Sequence, residues 1–503
     1  MKRTRNRAPR PDVSRRRVAL GAIVLAAAVQ ACTVGPDYER PVVDMPDVWQ
    51  DRAVEGVEKR EATLQTWWDT LDDPVLIDLI ARAEQANLDL RQAVGRIREA
   101  RAQRRVVTGE RYPDVNAGAE VNRTDPSDNL LPIPGGIDAN TFYSAGFDAT
   151  WEIDVFGRIR RSVESATASY EASVEDYRDV LVTLFAEVAR NYIDARALQK
   201  RIDFAEANVE TQQETLQLTQ DRFAAGLVSA LDVAQAESNL ASSDAAIPRL
   251  ETQLTAALNR LAVLLGEAPG ELDYELEAKR QIPVLPDEVA VGLPADLLRQ
   301  RPDVRRAERD LAAQTARIGV ATADLYPRFS LTGFLGLQST SGGEFFSANS
   351  VGWSLGLPMF ANIFDGGRVR GRIDIEKART EQLLAFYEQS VLLALEDVET
   401  SVAAYANERE RRKRLQRAVD ATERSVDLVQ TQYKAGLTDF QNVLDSERSL
   451  FNRQDELAES EGDVVKNLIA LYKALGGGWA VDENEPETYT SGITTSTGAQ
   501  GSE

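Results

Sequence analysis

Two periodicities alternate along the 503 residues of this chain. Val115, Ala117, Ala119 and Val121 alternate with Asn116, Gly118, Glu120 and Asn122. Tyr143, Ala145, Phe147, Ala149, Trp151 and Ile153 alternate in the same way with Ser144, Asp148, Thr150, Glu152 and Asp154. A period of two marks strands with one apolar and one wet face. A second pair follows: a stripe of Phe329, Leu331, Leu335 and Leu337, then Val351, Trp353, Leu355 and Leu357 spaced by Gly352, Ser354 and Gly356. Between and after these strands the period becomes helical. The spacing predicts a helix from Trp67 to about Thr108, ended before Pro113, and a much longer one from Gly157 to about Ala224. At ~1.5 Å per residue the long helix spans roughly 100 Å. Its apolar positions form heptads, one register being Val174, Leu181, Val188, Ala195, Ile202, Val209 and Leu216. The other register is Tyr177, Leu184, Asn191, Leu198, Ala205 and Gln212. Leu384, Val391, Val398, Tyr405, Val419 and Val426 repeat the pattern, interrupted near Glu408 and Arg412. Heptads sustained over this length pair helices side by side. Returning helices are expected from about Ala230 to Leu265 and from about Phe440 to Leu475.

The chain is an internal duplication. Arg222-Phe223-Ala224-Ala225-Gly226-Leu227 is answered 210 residues later by Gln432-Tyr433-Lys434-Ala435-Gly436-Leu437. Phe156-Gly157-Arg158 falls near Gly366-Gly367-Arg368, and Leu265-Gly266 on Leu475-Gly476. The expected organisation is a leader over 1–31, an extended arm over 32–66, and a first repeat over 67–266. A linker with four prolines covers 267–294, a second repeat 295–479, and an acidic tail, disordered by composition, 480–503. Gly226 and Gly436 sit where each long helix turns back, the place for a left-handed residue.

Four strands with Trp, Phe and Leu on one face and small polar groups on the other match a membrane β-barrel. Lipid tolerates no open sheet edge, and the smallest barrels have about eight strands, so the chain must oligomerise. Two copies would supply eight strands and three copies twelve.

Composition narrows the rest. The formal net charge of −22 argues against nucleic acid as a partner. The chain has no histidine and one cysteine, which removes histidine-based triads, disulfides and the usual metal clusters. No catalytic constellation and no metal site emerge, so an enzyme is not expected. The leader carries eight Lys/Arg and one Asp, so the rest of the chain comes to −29. Arg15-Arg16-Arg17 precedes a 12-residue apolar run, Val18 to Val29, too short to span a bilayer. The sole cysteine follows at Val29-Gln30-Ala31-Cys32, as in a bacterial lipoprotein signal. The one prosthetic group expected is therefore covalent lipid on Cys32, with Thr33 after it directing the chain to the outer membrane.

Several segments together resemble the TolC-like outer membrane factors, lipoprotein branch, of the OprM/NodT type. They include Cys32-Thr33-Val34-Gly35-Pro36-Asp37-Tyr38, Trp67-Trp68, and Trp151-Glu152-Ile153-Asp154-Val155-Phe156-Gly157-Arg158. Arg301-Pro302-Asp303-Val304, Tyr326-Pro327 and Leu471-Tyr472-Lys473-Ala474-Leu475-Gly476-Gly477-Gly478-Trp479 complete the set. The resemblance implies a mainly α fold with a β-barrel part. In it a homotrimer forms a 12-stranded outer-membrane β-barrel, four strands per chain, continued by a 12-helix periplasmic α-barrel. It implies an efflux duct for drugs, metal ions or other small molecules, docked on a periplasmic adaptor and an inner-membrane pump of the resistance-nodulation-division type. The alternative is a duct for type I protein secretion. The resemblance also places a periplasmic gate at Asp445, with Arg448 one turn along and Gln441 and Asn442 where relatives carry a leucine constriction and a second aspartate. It implies a contact between Asp232 and Tyr433, and adaptor docking at the turns Gly226-Leu227 and Gly436-Leu437.

Overall fold

The computed structural model describes residues 33–43, 57–58, 64–127, 139–278, 281–283, 289–290 and 300–479. The leader, Cys32, parts of the arm and of the linker, and the acidic tail lie outside them. Its helices are α1 (Pro74–Ala86), α2 (Leu88–Gly109), α3 (Arg158–Ala224), α4 (Ala230–Asp244), α5 (Ala246–Leu264), α6 (Pro302–Ala323), α7 (Arg368–Lys434) and α8 (Phe440–Ala474). Its main strands are β1 (Asp114–Thr124), β2 (Asn140–Ile153), β3 (Arg328–Ser339) and β4 (Val351–Gly356). Both long helices, α3 and α7, have 67 residues. The chain divides into two compact units, each assembled from pieces of both repeats.

One unit contains the sheet and comprises 1–41, 98–172 and 308–386. The four strands are antiparallel in the order β1-β2-β3-β4, with Met359–Phe360 added to the end of β3. Strand contents match the alternation. Phe147 pairs with Leu335 and Leu335 with Trp353 on the apolar face, where they are 59%, 57% and 76% exposed. A large aromatic and aliphatic face turned outward is what lipid contact demands and what water penalises. One row of the opposite face is all glycine: Gly118 pairs with Gly146, Gly146 with Gly336, and Gly336 with Gly352. The backbones approach closely in its centre, since a Cβ on Gly146 would lie 2.6 Å from Gly336 Cα. Gly146→Val is therefore expected to keep the helical circular-dichroism signal but lose insertion into outer-membrane fractions. Normal insertion of the variant would show that the close approach is dispensable.

The same unit fixes the arm and starts the long helices. Asp154 accepts from Ile159 N (3.1 Å) and Arg160 N (2.9 Å) at the head of α3. Asp365 accepts from Gly367 N and Val369 N (both 2.8 Å) before α7, and these backbone bonds hold its carboxyl below the usual range. Gly157 and Gly367 complete the two helix starts at φ +84° and +88°. The Arg161 guanidinium, buried to 3%, reaches Asp37 at 2.6 Å and the Val34 carbonyl at 3.2 Å, pinning residues 34–37 to α3.

The second unit comprises 42–97, 173–307 and 387–503. Here two expected helices are broken. The helix expected from Trp67 to Thr108 is a 3-10 turn (Trp67–Leu71) followed by α1 and α2. Asp73 caps α1 by accepting from Val75 N at 2.9 Å and takes the Tyr192 hydroxyl at 2.5 Å. Burial, reinforced by that hydrogen bond to the Asp73 carboxylate, pushes the Tyr192 phenol up to about 12. Asn87 then breaks the run, since its Oδ1 accepts from Asp89 N (2.8 Å) and Leu90 N (3.0 Å) as a new N-cap. The returning helix expected over 230–265 is interrupted at Ala245, because Pro248 has no N–H for the residue 244 carbonyl. Its counterpart α8 runs unbroken for 35 residues.

The heptads are real but shift. Val174, Leu181, Val188, Ala195 and Ile202 are buried on α3, and Val391, Val398, Tyr405, Val419, Val426 and Tyr433 on α7. Glu408 breaks the second stripe by pairing with Arg411 at 2.8 Å and accepting the Ser460 hydroxyl. Past Ile202 the α3 seam departs from the expected Val209 and Leu216, which are only half-buried. Asn208, Thr215 and Thr219 take the interior alongside Gln212, which the other register places there.

Candidate functional site

The four helix ends that meet in the second unit form the candidate site. α3 and α7 close in the same motif. Gly226 N donates to Phe223 O (2.8 Å) and Leu227 N to Arg222 O (2.9 Å); Gly436 N donates to Tyr433 O (2.9 Å) and Leu437 N to Gln432 O (2.8 Å). Both glycines have φ +73°. This is a Schellman turn, which needs a left-handed residue at that place. A Cβ on Gly226 would meet nothing within 4 Å, so backbone conformation alone selects the glycine. Gly226→Ala is expected to destabilise the turn by about 1–2 kcal/mol, the usual cost of a left-handed alanine, read as faster amide exchange at Leu227. Unchanged exchange would mean that the turn is held by other contacts. Leu227 and Leu437 project into solvent, 66% and 78% exposed.

The turns are packed by a small apolar cluster. Ala236 from α4, Tyr433 from α7, and Phe440, Val443 and Leu444 from α8 are buried together. Tyr433 and Phe440 rings lie 5.5 Å apart. Arg222 crosses from α3 to α7: its Nη1 donates to Tyr433 O at 2.8 Å and its guanidinium covers the Tyr433 ring at 4.6 Å. The two repeats are thus clasped by a cation-π contact and a charge-assisted hydrogen bond.

The residues expected at the gate occupy the first turns of α8. Asp445 is exposed and accepts from Gln441 Nε2 at 3.0 Å, one turn earlier on the same face. Asn442 donates to Thr438 Oγ1 at 2.9 Å. Arg448 does not pair with Asp445. Its Nε donates instead to Asn239 Oδ1 on α4 at 2.7 Å, linking the returning helices of the two repeats. The expected Asp232–Tyr433 bond is corrected by the structure. Asp232 turns back to accept from Ser229 N at 3.0 Å, completing a capping box at the start of α4. The buried Tyr433 hydroxyl has no partner among the described residues. Ser229 three places before Asp232 is the signature of that box, and local capping outcompetes the longer reach.

Sequence reasoning passes over five residues that organise this tip: Arg222, Asn239, Thr215, Gln430 and Glu447. The last three form one bonded group, Thr215 Oγ1 and Gln430 Nε2 both donating to Glu447 Oε1 at 2.7 and 3.1 Å. A signal for them exists. Phe440, Leu444, Glu447, Phe451, Gln454 and Ala458 follow one 3.5-residue stripe, and two of its six positions are polar.

Comparison with known proteins places this geometry. The sequence profile of the family described as "Outer membrane efflux protein" matches residues 79–267 and 293–477. Nodulation protein T of Rhizobium leguminosarum bv. trifolii is 31% identical over 458 residues, covering 90% of this chain and 95% of that protein. The toluene efflux pump outer membrane protein TtgI of Pseudomonas putida is 31% identical over 462 residues, covering 90% and 97%. Among solved structures, the outer-membrane channel OprN superposes with a TM-score of 0.84 at 38% identity, covering 89% of this chain and all of that one. The open state of the Neisseria gonorrhoeae MtrE outer membrane channel gives 0.78 at 28% identity, covering 90% and 99%. With the profile matching most of its length and relatives 31% identical nearly end to end, the chain belongs to the outer membrane efflux proteins.

Proposed function

We propose that three copies of this chain form the outer-membrane duct of a tripartite efflux system. Small molecules enter from a periplasmic adaptor and an inner-membrane pump and leave outside the cell. The observation that carries the reading is the open sheet. Among the described residues β1 and β4 each leave an edge unpaired, on a sheet whose exposed face is apolar. In lipid such edges must be paired by neighbouring copies, and three copies give a closed twelve-stranded barrel. Relatives named for solvent, toluene and pyoverdine export support a small-molecule cargo. The exposed turns Gly226-Leu227 and Gly436-Leu437 are the surfaces offered to the adaptor, and Asp445, with Gln441, Asn442 and Arg448 around it, is the gate. Purified full-length protein is expected to run as a trimer and to conduct in planar bilayers in unitary steps. A monomer without conductance would sink the reading.

The lipid belongs to the same reading. Val34 N donates to Phe156 O at 3.2 Å, and a Cβ on Gly157 would lie 2.8 Å from Thr33 Cγ2. The residue following Cys32 is thereby held at the junction of β2 and α3, where a membrane-embedded sheet gives way to helix. Acyl chains there insert beside the barrel, each buried CH2 adding roughly 0.8 kcal/mol. Cys32→Ser is expected to abolish labelling of the protein by palmitate fed to cells; persistent labelling would exclude Cys32 as the acceptor.

A further inference from the structure

A polar ladder near the tip joins three helices at heptad spacing, its outer layer exposed at Glu423 and its inner one buried at Glu447. In one layer Asn208 Nδ2 of α3 donates to Gln454 Oε1 of α8 (2.9 Å), and Gln454 Nε2 donates to Glu423 Oε1 of α7 (3.2 Å). Seven residues nearer the turns, Glu447 of α8 takes the place of Gln454, held by Thr215 of α3 and Gln430 of α7 through its Oε1. Glu447 is 3% exposed, and its Oε2 is buried without a partner among the described residues. Gln212, one turn from Thr215, buries both amide atoms unpaired. Every rung of the ladder passes through α8, the helix that also carries Asp445.

Among the described residues no charged group compensates Glu447. From α3, Thr215 faces it, while Glu214 is exposed and Arg222 is engaged with the Tyr433 carbonyl. From α7, Gln430 faces it; Asp427 is exposed, Glu423 is taken by Gln454, and the Tyr433 ring packs on Phe440. α4 presents Asn239, whose carbonyl oxygen takes Arg448, and leaves Glu237 exposed. On α8 itself Asp445 is exposed and bonded to Gln441. An ionised carboxylate here would be a buried charge without a counter-ion, which is costly, whereas the neutral acid leaves a single polar atom unmatched.

We propose that Glu447 is a proton-operated latch: the packed tip holds it as the neutral acid, and separation of α8 from α3 and α7 releases the proton to water. The latch rests on the reading of this tip as the closing end of the duct. Burial pushes the Glu447 carboxyl up, against the pull of its two hydrogen-bond donors. The packed tip therefore binds the proton more tightly than the separated one. The stabilisation of the packed state is full below the ordinary glutamate value and is lost as pH rises through the packed-state value. Acid closes the tip, and alkali loosens it.

The test is single-channel recording of full-length protein across about pH 5 to about pH 8, the window around a raised carboxyl. Parent conductance is expected to fall on acidification. Glu447→Gln, which keeps the shape and removes the titration, should stay at the low level throughout. Asp445→Asn should keep the pH response, which separates the latch from the exposed acidic ring. A second reading avoids the channel: Glu447→Gln should melt higher than the parent at the alkaline end and equally at the acidic end. A conducting parent without pH response, a Glu447→Gln variant that responds like the parent, or a lower melting point at the alkaline end would overturn the latch. A parent that does not conduct at all would overturn the duct reading beneath it.

Discussion

Trp67→Ala is expected to destabilise the folded protein by about 3–5 kcal/mol, the usual cost of emptying a buried aromatic site. Trp67 is 1% exposed and stacks on Tyr472 with ring centroids 5.3 Å apart and planes 18° from parallel. Trp68 meets it edge-on at 5.6 Å, and Trp68 in turn contacts Phe185 at 4.9 Å. The glycine run after α8 folds over this stack: a Cβ on Gly477 would sit 3.0 Å from Trp67 Cδ1, and Gly478 N donates to Leu64 O at 2.8 Å. Trp479 then lies beneath the guanidinium of Arg178 at 4.5 Å. The segment before α1 and the segment after α8 are thus fastened to one another around the Trp67 indole and by the Gly478–Leu64 hydrogen bond. Nothing small can fill that space, so the cavity penalty adds to the lost burial. Denaturant unfolding followed by helical circular dichroism measures the loss, with Trp67→Phe as the control that keeps a stacked ring. A loss below about 1 kcal/mol for the alanine variant would show that the site collapses or is wet.

Asp445→Ala is expected to give a resting channel that leaks more and prefers cations less. In the proposed trimer three exposed carboxylates would surround the three-fold axis as an acidic ring, which gathers cations and repels anions at close range. Gln441 holds each carboxylate from one turn away and so limits its wandering. Removing the charge removes the selectivity, and removing the side chain widens the opening. Asp445→Asn separates the two, because it loses the charge and keeps the size. Bilayer recordings in a salt gradient give both quantities from one preparation. Conductance and reversal potential equal to the parent's in both variants would end the assignment of the gate to Asp445.

Much of the fold is legible in the sequence because its signals are long. Alternation from Val115 to Asn122 and from Tyr143 to Asp154 leaves one choice for β1 and β2, and a heptad buried from Val174 to Ile202 leaves one for α3. The duplication carries Gly226 onto Gly436 and locates both turns to the residue. Short local chemistry is harder. Asn87 and Pro248 each break a helix that the apolar spacing runs through, since a stripe records which face is buried and not where a backbone hydrogen bond is lost. The tip misleads for a related reason. Family position points Asp232 at a distant tyrosine, although Ser229, three residues away, offers a nearer donor. Thr215 and Asn208 displace Leu216 and Val209 from the seam because their partners, Glu447 and Gln454, stand on a helix more than 200 residues away. A one-dimensional pattern cannot weigh a hydrogen bond whose other half is that remote.

The glycine row across the sheet has a use in engineering. At that level the wet face carries no side chain of its own: the Phe334 ring reaches over Gly336, Gln338 Oε1 reaches towards Gly352, and the Gly118 end is left open. A Cβ on Gly118 would meet nothing within 4 Å, unlike one on Gly146 or Gly336. A single cysteine or aspartate placed at 118 would appear three times around the bore without disturbing the strands that carry it. The row is thus a ready seat for a reading head, the narrow sensing ring that a nanopore needs to tell one passing molecule from another.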